Sequence, residues 1–164
     1  MPIRRAVAAD APAIAGVLAA AFAEYEPLYT PDGLAATTPS AAVIRARLDE
    51  GPIWVALHHE DAIIGTVGTV RRGAVLYVRS MAVLPAARGH RIGEGLLREV
   101  EAFARADGAT SLLLSTTPFL ARAIHLYEQF GFRASEAGPH DLHGTPLLTM
   151  IKPLPVLPAT NIPG

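Results

Sequence analysis

The segment Val83-Leu-Pro-Ala-Ala-Arg-Gly-His-Arg-Ile-Gly-Glu-Gly-Leu-Leu97 joins an apolar, strand-like run to an amphipathic helix through a basic loop rich in glycine. A loop that opens a helix presents unpaired backbone N–H groups beside the positive end of the helix dipole. Such a place binds phosphate readily, and Arg88, His90 and Arg91 add positive charge to it. The loop therefore predicts a phosphorylated ligand.

The bulk composition limits the classes of protein that this chain can be. Its 164 residues are 51% hydrophobic and 18% charged, which is typical of one globular domain. The net charge of −1 gives no overall basic field for nucleic acid, and no run approaches the roughly 20 apolar residues of a membrane span. We therefore expect a cytoplasmic protein without nucleic-acid or membrane partners, and leave a homodimer open. With no cysteine and no metal spacing among six histidines, no metal site is expected.

The N-terminal stretch superficially resembles a signal peptide, because Arg4 and Arg5 precede a run of alanines. Asp10 and Pro12 interrupt that run. Its apolar side chains instead recur at helical spacing, at Ile14, Val17, Leu18, Ala21 and Phe22. The pattern predicts a strand over 3–7 and a helix over 11–23, with Asp10 as its N-cap.

Taken along the whole chain, the pattern predicts the order β-α-α-β-β-β-α-β-α-β-β, a mixed α/β sheet flanked by helices. A turn-rich connection over 24–39 leads to a helix over 40–49, a hairpin of strands 53–58 and 62–70, and a strand over 74–84. A helix over 91–106, a strand over 111–115, a helix from Thr117 to Gly131 and a final strand over 146–152 follow. We predict one domain at 2–152 and an extended Pro-rich tail at 153–164.

Two common nucleotide-binding loops match the glycine loop poorly. A Walker loop requires Gly-x-x-x-x-Gly-Lys-Ser/Thr, and this loop lacks both the lysine and the hydroxyl. A dinucleotide loop requires Gly-x-Gly-x-x-Gly after a first strand, whereas the glycines here stand at 89, 93 and 95. A nucleotide-binding enzyme is therefore the weakest of the alternatives.

Two segments carry a resemblance to a known family. Arg88-Gly-His-Arg-Ile-Gly93 resembles the pyrophosphate loop Gln/Arg-x-x-Gly-x-Gly/Ala of the GNAT superfamily of N-acetyltransferases, with Arg91 in place of the internal glycine. Ala123-Ile-His-Leu-Tyr-Glu-Gln-Phe-Gly-Phe132 resembles the family's Ala-x-x-Leu-Tyr-x-x-x-Gly-Phe signature. The start of the chain is also similar, so the resemblance covers about residues 2–152. It implies a mixed, largely antiparallel sheet flanked by about four helices.

The resemblance also implies a reaction: transfer of an acetyl group from acetyl-coenzyme A, as cosubstrate, to a primary amine of a small molecule or peptide by direct attack. Tyr127 would protonate the departing thiolate or donate a hydrogen bond to it. A backbone N–H near Met81 to Val83 would stabilise the oxyanion, where the strand also pairs with the pantetheine arm. The implied cofactor-binding residues are Met81, Ala82, Val83, Arg88, Gly89, His90, Arg91, Ile92, Gly93 and Glu94.

Departures from the family pattern keep other interpretations open. Leu120 stands where the family often has an asparagine, so that residue's polar contact is missing or comes from Thr116 or Thr117. Tyr127 lies on an apolar helical stripe and by pattern alone is a packed aromatic. The alternative function is a non-catalytic acyl-coenzyme A-binding sensor or partner module.

The acceptor side is the least defined part of the prediction. Glu24, Glu26 and Tyr29 are the expected substrate contacts, and Glu24, Glu26 and Asp32 could attract a cationic amine. No general base is evident, since Glu24, Glu26, His140 and Asp141 are candidates only by their place in connecting segments.

Overall fold

Residues 2–155, which the computed structural model describes, form nine strands and five α-helices. The elements are β1 (Ile3–Arg5), α1 (Ala11–Phe22), α2 (Pro31–Thr37), α3 (Ala41–Arg47), β2 (Ile53–Leu57), β3 (Ile63–Arg72), β4 (Val75–Val83), α4 (Ile92–Ala106), β5 (Ser111–Thr116), α5 (Ala121–Phe130), β6 (Arg133–Ser135), β7 (Asp141–Leu142), β8 (Thr145–Pro146) and β9 (Leu148–Pro153).

One seven-stranded sheet has the order β1-β2-β3-β4-β5-β9-β6, and β7 and β8 form a separate hairpin. Neighbouring strands in the large sheet are antiparallel except for β4 and β5, which are parallel and connected through α4. The structure confirms the predicted class and the predicted hairpin of β2 and β3. The additions are the helix α2 and the small β7–β8 hairpin.

Apolar helix faces cover both sides of the large sheet. On one side α4 buries Leu96 and Val100 completely, four residues apart on one face of the helix. On the other side α1 and α3 bury Leu18 and Ile44. Each such side chain contributes about 2 kcal/mol by leaving water. The two layers hold β4 between them and so fix the strand along which the site is built.

Strand β4 changes face partway along its length. Leu76 packs on the α4 side, yet Ala82 lies in the core under α1 and α3, although strict alternation would place both on one side. Between Arg79 and Ala82, β4 has one residue more than the facing segment of β3. Ser80 there has a φ of +52°, so the extra residue forms a β-bulge. The bulge therefore reverses the face of the sheet to which each side chain in the second half of β4 points.

Four local predictions differ from the structure. The connection over 24–39 contains α2, because the Thr30 hydroxyl accepts a hydrogen bond from the Gly33 N–H and Pro31 fits the first turn. The helix predicted from Thr117 begins at Ala121, after a turn closed by the Leu120 N–H donating to the Thr117 carbonyl. Thr117 is therefore not its N-cap.

Asp10 is also not the side-chain cap of α1. Its carboxylate accepts hydrogen bonds from both Arg4 Nη atoms, at 2.8 and 3.0 Å, and from the Val7 N–H at 2.8 Å. These bonds close the turn before the helix. At the other end of the chain β9 extends to Pro153 and Leu154 is buried, inside the stretch predicted as a tail. Residues 156–164 of that predicted tail lie outside the described residues.

Candidate active site

A cleft opens where β4 and β5 separate. Val75–Val78 pair with Ser111–Leu114, and beyond these residues the two strands diverge around a cavity of about 830 Å³. Its walls are the second half of β4, the end of β5, the first turn of α4, α5 and the segment after α1. The edge of β4 that faces the cavity can pair with an extended ligand.

The loop before α4 has the backbone of an anion-binding loop. A 3₁₀ turn over Pro85–Ala87 leads to Gly89, with φ +88°, and Arg91, with φ +58° and ψ +26°. Arg91 thus adopts the left-handed conformation usual for glycine, which costs about 1–2 kcal/mol for a residue with a side chain. The first intrahelical bond of α4 is from the Gly95 N–H to the Arg91 carbonyl. The preceding amides are therefore available to a ligand.

Gly93 permits a close approach of three elements at this end of the cleft. A Cβ atom on Gly93 would lie 2.7 Å from Leu126 Cδ2 and 3.2 Å from Met81 Cε. Leu126 belongs to α5 and Met81 to β4, and both line the cleft. The absence of a side chain at residue 93 therefore sets the spacing between the helix N-terminus and the two other walls.

Tyr127 is at once a core residue and a wall of the cleft. Its side chain is 7% exposed, and its ring packs edge-on against Phe132 at 5.9 Å between centroids. Burial raises the pKa of the Tyr127 phenol to about 12. The phenol therefore stays protonated through the neutral range, as a hydrogen-bond donor and a weak acid.

Thr117 brings a polar atom without a partner to the same cavity. Its hydroxyl is buried, lines the cleft near the Tyr29 phenol, and makes no hydrogen bond of normal geometry within residues 2–155. Leu120, in the family's asparagine position, also lines the cleft. A buried hydroxyl without a partner costs free energy unless a ligand or water supplies the bond. Of the two threonines considered from sequence, Thr116 and Thr117, it is the Thr117 hydroxyl that lies buried and unbonded in the cleft wall.

Nine of the ten residues predicted to bind the cofactor line the cleft, and only His90, which is exposed, lies outside its walls. Two of the nine are engaged in ion pairs. Arg88 Nη2 lies 2.6 Å from Glu24 Oε1, and Glu94 Oε1 lies 2.7 Å from Arg98 Nη2.

The predicted acceptor residues are dispersed. Tyr29 lines the cleft and burial raises its pKa, whereas Glu24 and Glu26 are not among the lining residues. The candidate bases His140 and Asp141 also lie outside the lining, and Asp141 Oδ2 accepts a hydrogen bond from the Gly144 N–H. No histidine lines the cleft within residues 2–155, and its one lining carboxylate there is Glu94.

Sequence reasoning missed the arginines at the far end of the cleft. Arg47, Arg72 and Arg79 all line it, together with Tyr77 and Ser80 of β4. A signal was present, since Arg79 and Ser80 interrupt the apolar run over 74–84. A charged side chain within a strand between two helical layers indicates a cavity beside the strand.

Comparison with known proteins identifies the family of this chain. The model of the acetyltransferase (GNAT) family matches residues 18–132. The chain belongs to this family. The uncharacterized N-acetyltransferase YjgM of Escherichia coli (strain K12) is 30% identical to this GNAT enzyme over 135 residues, which are 79% of this chain and 80% of that protein.

Two further relatives extend the comparison. An IAA acetyltransferase of Azospirillum brasilense is 41% identical over 92 residues, 55% of this chain and 59% of that protein. The match thus spans less than two thirds of that relative's length. PaiA N-acetyltransferase from Thermoplasma acidophilum, in complex with coenzyme A, has the same fold, with a TM-score of 0.80 over 93% of this chain and 98% of that chain at 15% identity.

These findings confirm three predictions: the family, the fold class and an acyltransferase enzyme. The family match over residues 18–132 includes both motifs that suggested it. Within residues 2–155 the GNAT enzyme has no helix long and apolar enough to span a membrane.

Proposed function

We propose that this GNAT enzyme transfers the acetyl group of acetyl-coenzyme A to a primary amine by direct attack. The observation that carries the proposal is the cleft between β4 and β5, which has an anion-binding helix N-terminus at one end and the Tyr127 phenol in its wall. The coenzyme A bound by the PaiA relative supports the choice of cosubstrate.

The residues around the cleft fit each part of that cosubstrate. The open amides at the start of α4, with Arg88 and Arg91 beside them, would hold a pyrophosphate. The free edge of β4 at Met81–Val83 would pair with the amides of the pantetheine arm. The Thr117 hydroxyl would donate or accept one further hydrogen bond. His90 lies outside the cleft lining, and its contact with the cosubstrate stays a prediction from sequence.

The acceptor must attack as a neutral amine, because an ammonium group has no lone pair. The only carboxylate that lines the described cleft, Glu94, is already paired with Arg98. We therefore propose that the amine loses its proton to solvent rather than to a dedicated side chain. Acceptors whose amine pKa lies well below the 10.4 of lysine would react fastest near neutral pH.

Tyr127 would serve the departing thiolate as a hydrogen-bond donor. Its pKa of about 12 exceeds that of a thiol, near 8.5, by roughly 3.5 units, so complete proton transfer would be uphill by about 5 kcal/mol. A hydrogen bond to the thiolate stabilises the developing charge without that transfer. This favours the milder of the two roles predicted for Tyr127.

Thermal stabilisation tests the choice of ligand. Millimolar acetyl-coenzyme A should raise the melting temperature by several degrees and ATP at the same concentration should not, because only the former extends along β4. Equal stabilisation by ATP, or none by acetyl-coenzyme A, would contradict the proposal.

Release of free thiol over a panel of amines tests the reaction. Tyr127→Phe should lower kcat by about 10- to 100-fold, while the Kd of acetyl-coenzyme A and the melting temperature stay near the wild-type values. An unchanged kcat would leave Tyr127 as a packing residue. Binding of acetyl-coenzyme A without thiol release for any amine would reject catalysis of this reaction.

A further inference from the structure

The cleft continues along β4, past the bulge, to three arginines that the proposed cosubstrate does not use. Going back from the loop, β4 presents Met81, then Ser80, then Arg79 to the cavity. Arg79 pairs with Gly68 of β3 and Val83 pairs with Gly65, three residues away, which places Arg79 roughly 10 Å farther along the strand. The arginines therefore lie beyond the position proposed for the acetyl group, on the side left for the acceptor.

The three arginines come from three different elements. Arg47 closes α3, Arg72 ends β3, and Arg79 lies in β4. The Arg72 guanidinium stands 4.8 Å above the ring of Tyr77, and Arg79 forms an ion pair with Glu50. One carboxylate thus faces three guanidinium groups, which leaves an excess of positive charge at this end of the cleft.

Arg47 and Arg72 both form no ion pair with a described side chain, and Arg47 is the more buried of the two. It is half-buried, and Nη1 donates a hydrogen bond to the Ser80 hydroxyl at 2.8 Å. The described side chains of residues 2–155 do not include that of Glu60, and none of them forms an ion pair with Arg47. Burial and the positive charge of Arg79 both lower the Arg47 pKa, which shows the cost of holding this cation here. A neutral donor would serve Ser80 equally well, so the fold itself does not require the charge.

We infer that the acceptor is an amine that also carries a carboxylate, and that Arg47, together with Arg79, binds this carboxylate. The inference rests on the proposed function. A guanidinium offers paired N–H donors that match the two oxygens of a carboxylate, and the ligand would supply the missing negative charge. Because Arg47 contacts the bulge residue next to Met81, the carboxylate lies within a few bonds of the reacting amine. The acceptor class is therefore the amino carboxylic acids.

The positions of the charged residues also bear on a different prediction from sequence, that acidic residues attract a cationic acceptor. Glu24 is paired with Arg88 on the cosubstrate side, and Glu26 lies outside the cleft lining. The charge within the cleft beside the acceptor position is that of the arginines. An acceptor without an anionic group would meet uncompensated cations there.

The kinetic test compares acceptors that differ in the carboxylate, with each kcat/KM expressed per neutral amine because the carboxylate also changes the amine pKa. Phenylalanine, phenylalaninamide and phenethylamine are suitable, since Phe22, Tyr25 and Tyr29 form an adjoining aromatic wall. Wild type should prefer phenylalanine by 10-fold or more in kcat/KM. Arg47→Gln keeps a donor for Ser80 and should remove that preference mainly through KM, and Arg47→Lys should restore part of it. Arg45→Gln, an exposed charge change on the same helix, should leave it unchanged.

A binding test separates failure of this inference from failure of the proposed reaction. Calorimetry with coenzyme A-loaded protein should show N-acetylphenylalanine binding at least 10-fold more tightly than N-acetylphenethylamine, with the difference lost in Arg47→Gln. This readout needs no turnover. Equal binding of the two compounds by wild type, or an Arg47→Gln variant that weakens both equally, overturns the inference. Tighter binding of N-acetylphosphoethanolamine than of N-acetyl-β-alanine would also overturn it, by assigning the site to phosphate.

Discussion

Arg88 Nη2 lies 2.6 Å from Glu24 Oε1, so the loop before α4 is joined by an ion pair to the segment that follows α1. The carboxylate partly neutralises a cation that we assign to the pyrophosphate. Glu24→Gln should therefore tighten acetyl-coenzyme A binding by about 2- to 5-fold at low ionic strength, since one repulsive charge is removed at a partly exposed site. Isothermal titration at two salt concentrations measures this.

Glu26→Gln is the matched control for Glu24→Gln. It makes the same change in net charge two residues away, at an exposed side chain that is not part of the cleft wall. Its Kd should equal that of wild type. Weaker binding by Glu24→Gln would mean that Glu24 chiefly orients Arg88, and the electrostatic account would be wrong.

Arg91 combines a favourable charge with an unfavourable backbone conformation, and two substitutions separate these effects. Arg91→Ala removes the charge and keeps a Cβ at φ +58°, whereas Arg91→Gly removes both. Arg91→Gly should be more stable than Arg91→Ala by about 1 kcal/mol in urea denaturation, because glycine adopts this conformation without steric cost. Both should lose the same factor in acetyl-coenzyme A affinity, about 3- to 10-fold. If the glycine variant alone binds weakly, the side chain acts by ordering the loop rather than by its charge.

Local patterns were sufficient wherever a single element decides the outcome. The buried stripe of α4 follows from its own periodicity, and Gly131 ends α5 at φ +109°, as its position in the sequence indicates. The fold brings the loop of the first motif and Tyr127 of the second to the walls of one cleft, because the strand–helix order leaves them few alternatives.

The parts that sequence reasoning missed depend on pairs of elements. The change of face in β4 depends on its register against β3. The sequence of the apolar run does not show that β4 has one residue more than β3 at this point. Arg47 and Ser80 are 33 residues apart and meet only because α3 packs beside the bulge. Thr117 and Pro118 suit either the start of a helix or a turn, and the tertiary context selected the turn.

Asp10 should make the stability of the first turn depend on pH. Hydrogen bonds from Arg4 and from the Val7 N–H lower the pKa of the Asp10 carboxyl below its usual value. This stabilisation is complete above the unfolded-state pKa of about 3.9 and is lost as the pH falls through the lower folded-state pKa. Asp10→Asn should therefore cost about 1 kcal/mol at pH 7 and much less at pH 2–3.

Urea denaturation at pH 7, 4 and 2.5 checks the Asp10 prediction. Asp49→Asn serves as the control, because Asp49 is exposed and outside the ion pairs of residues 2–155. A difference between wild type and Asp10→Asn that stays constant with pH would assign the effect to hydrogen-bond geometry instead of charge.

Tyr127 should make the free energy of unfolding depend on pH in the opposite direction, at alkaline pH. Its folded-state pKa of about 12 lies above the value near 10 expected in the unfolded chain, so between pH 10 and 12 the unfolded state has released a proton that the folded state retains. Stability must then fall as the pH rises, by up to about 1.4 kcal/mol per pH unit from this one group. Tyr127→Phe lacks the ionisation, so its stability relative to wild type should improve by about 1.5–2 kcal/mol from pH 9.5 to 11.5.

Urea denaturation of both proteins across that range measures the change, and Tyr25→Phe controls for loss of a phenol that is only half-buried. A relative stability that does not change with pH would mean that the folded cleft accommodates a Tyr127 phenolate. Its pKa would then lie near 10, and proton transfer to a thiolate, whose thiol has a pKa near 8.5, would be uphill by only about 2 kcal/mol. The expected fall instead identifies a group that keeps its proton throughout the working range, and such a group can assist the leaving thiolate only by donating a hydrogen bond to it.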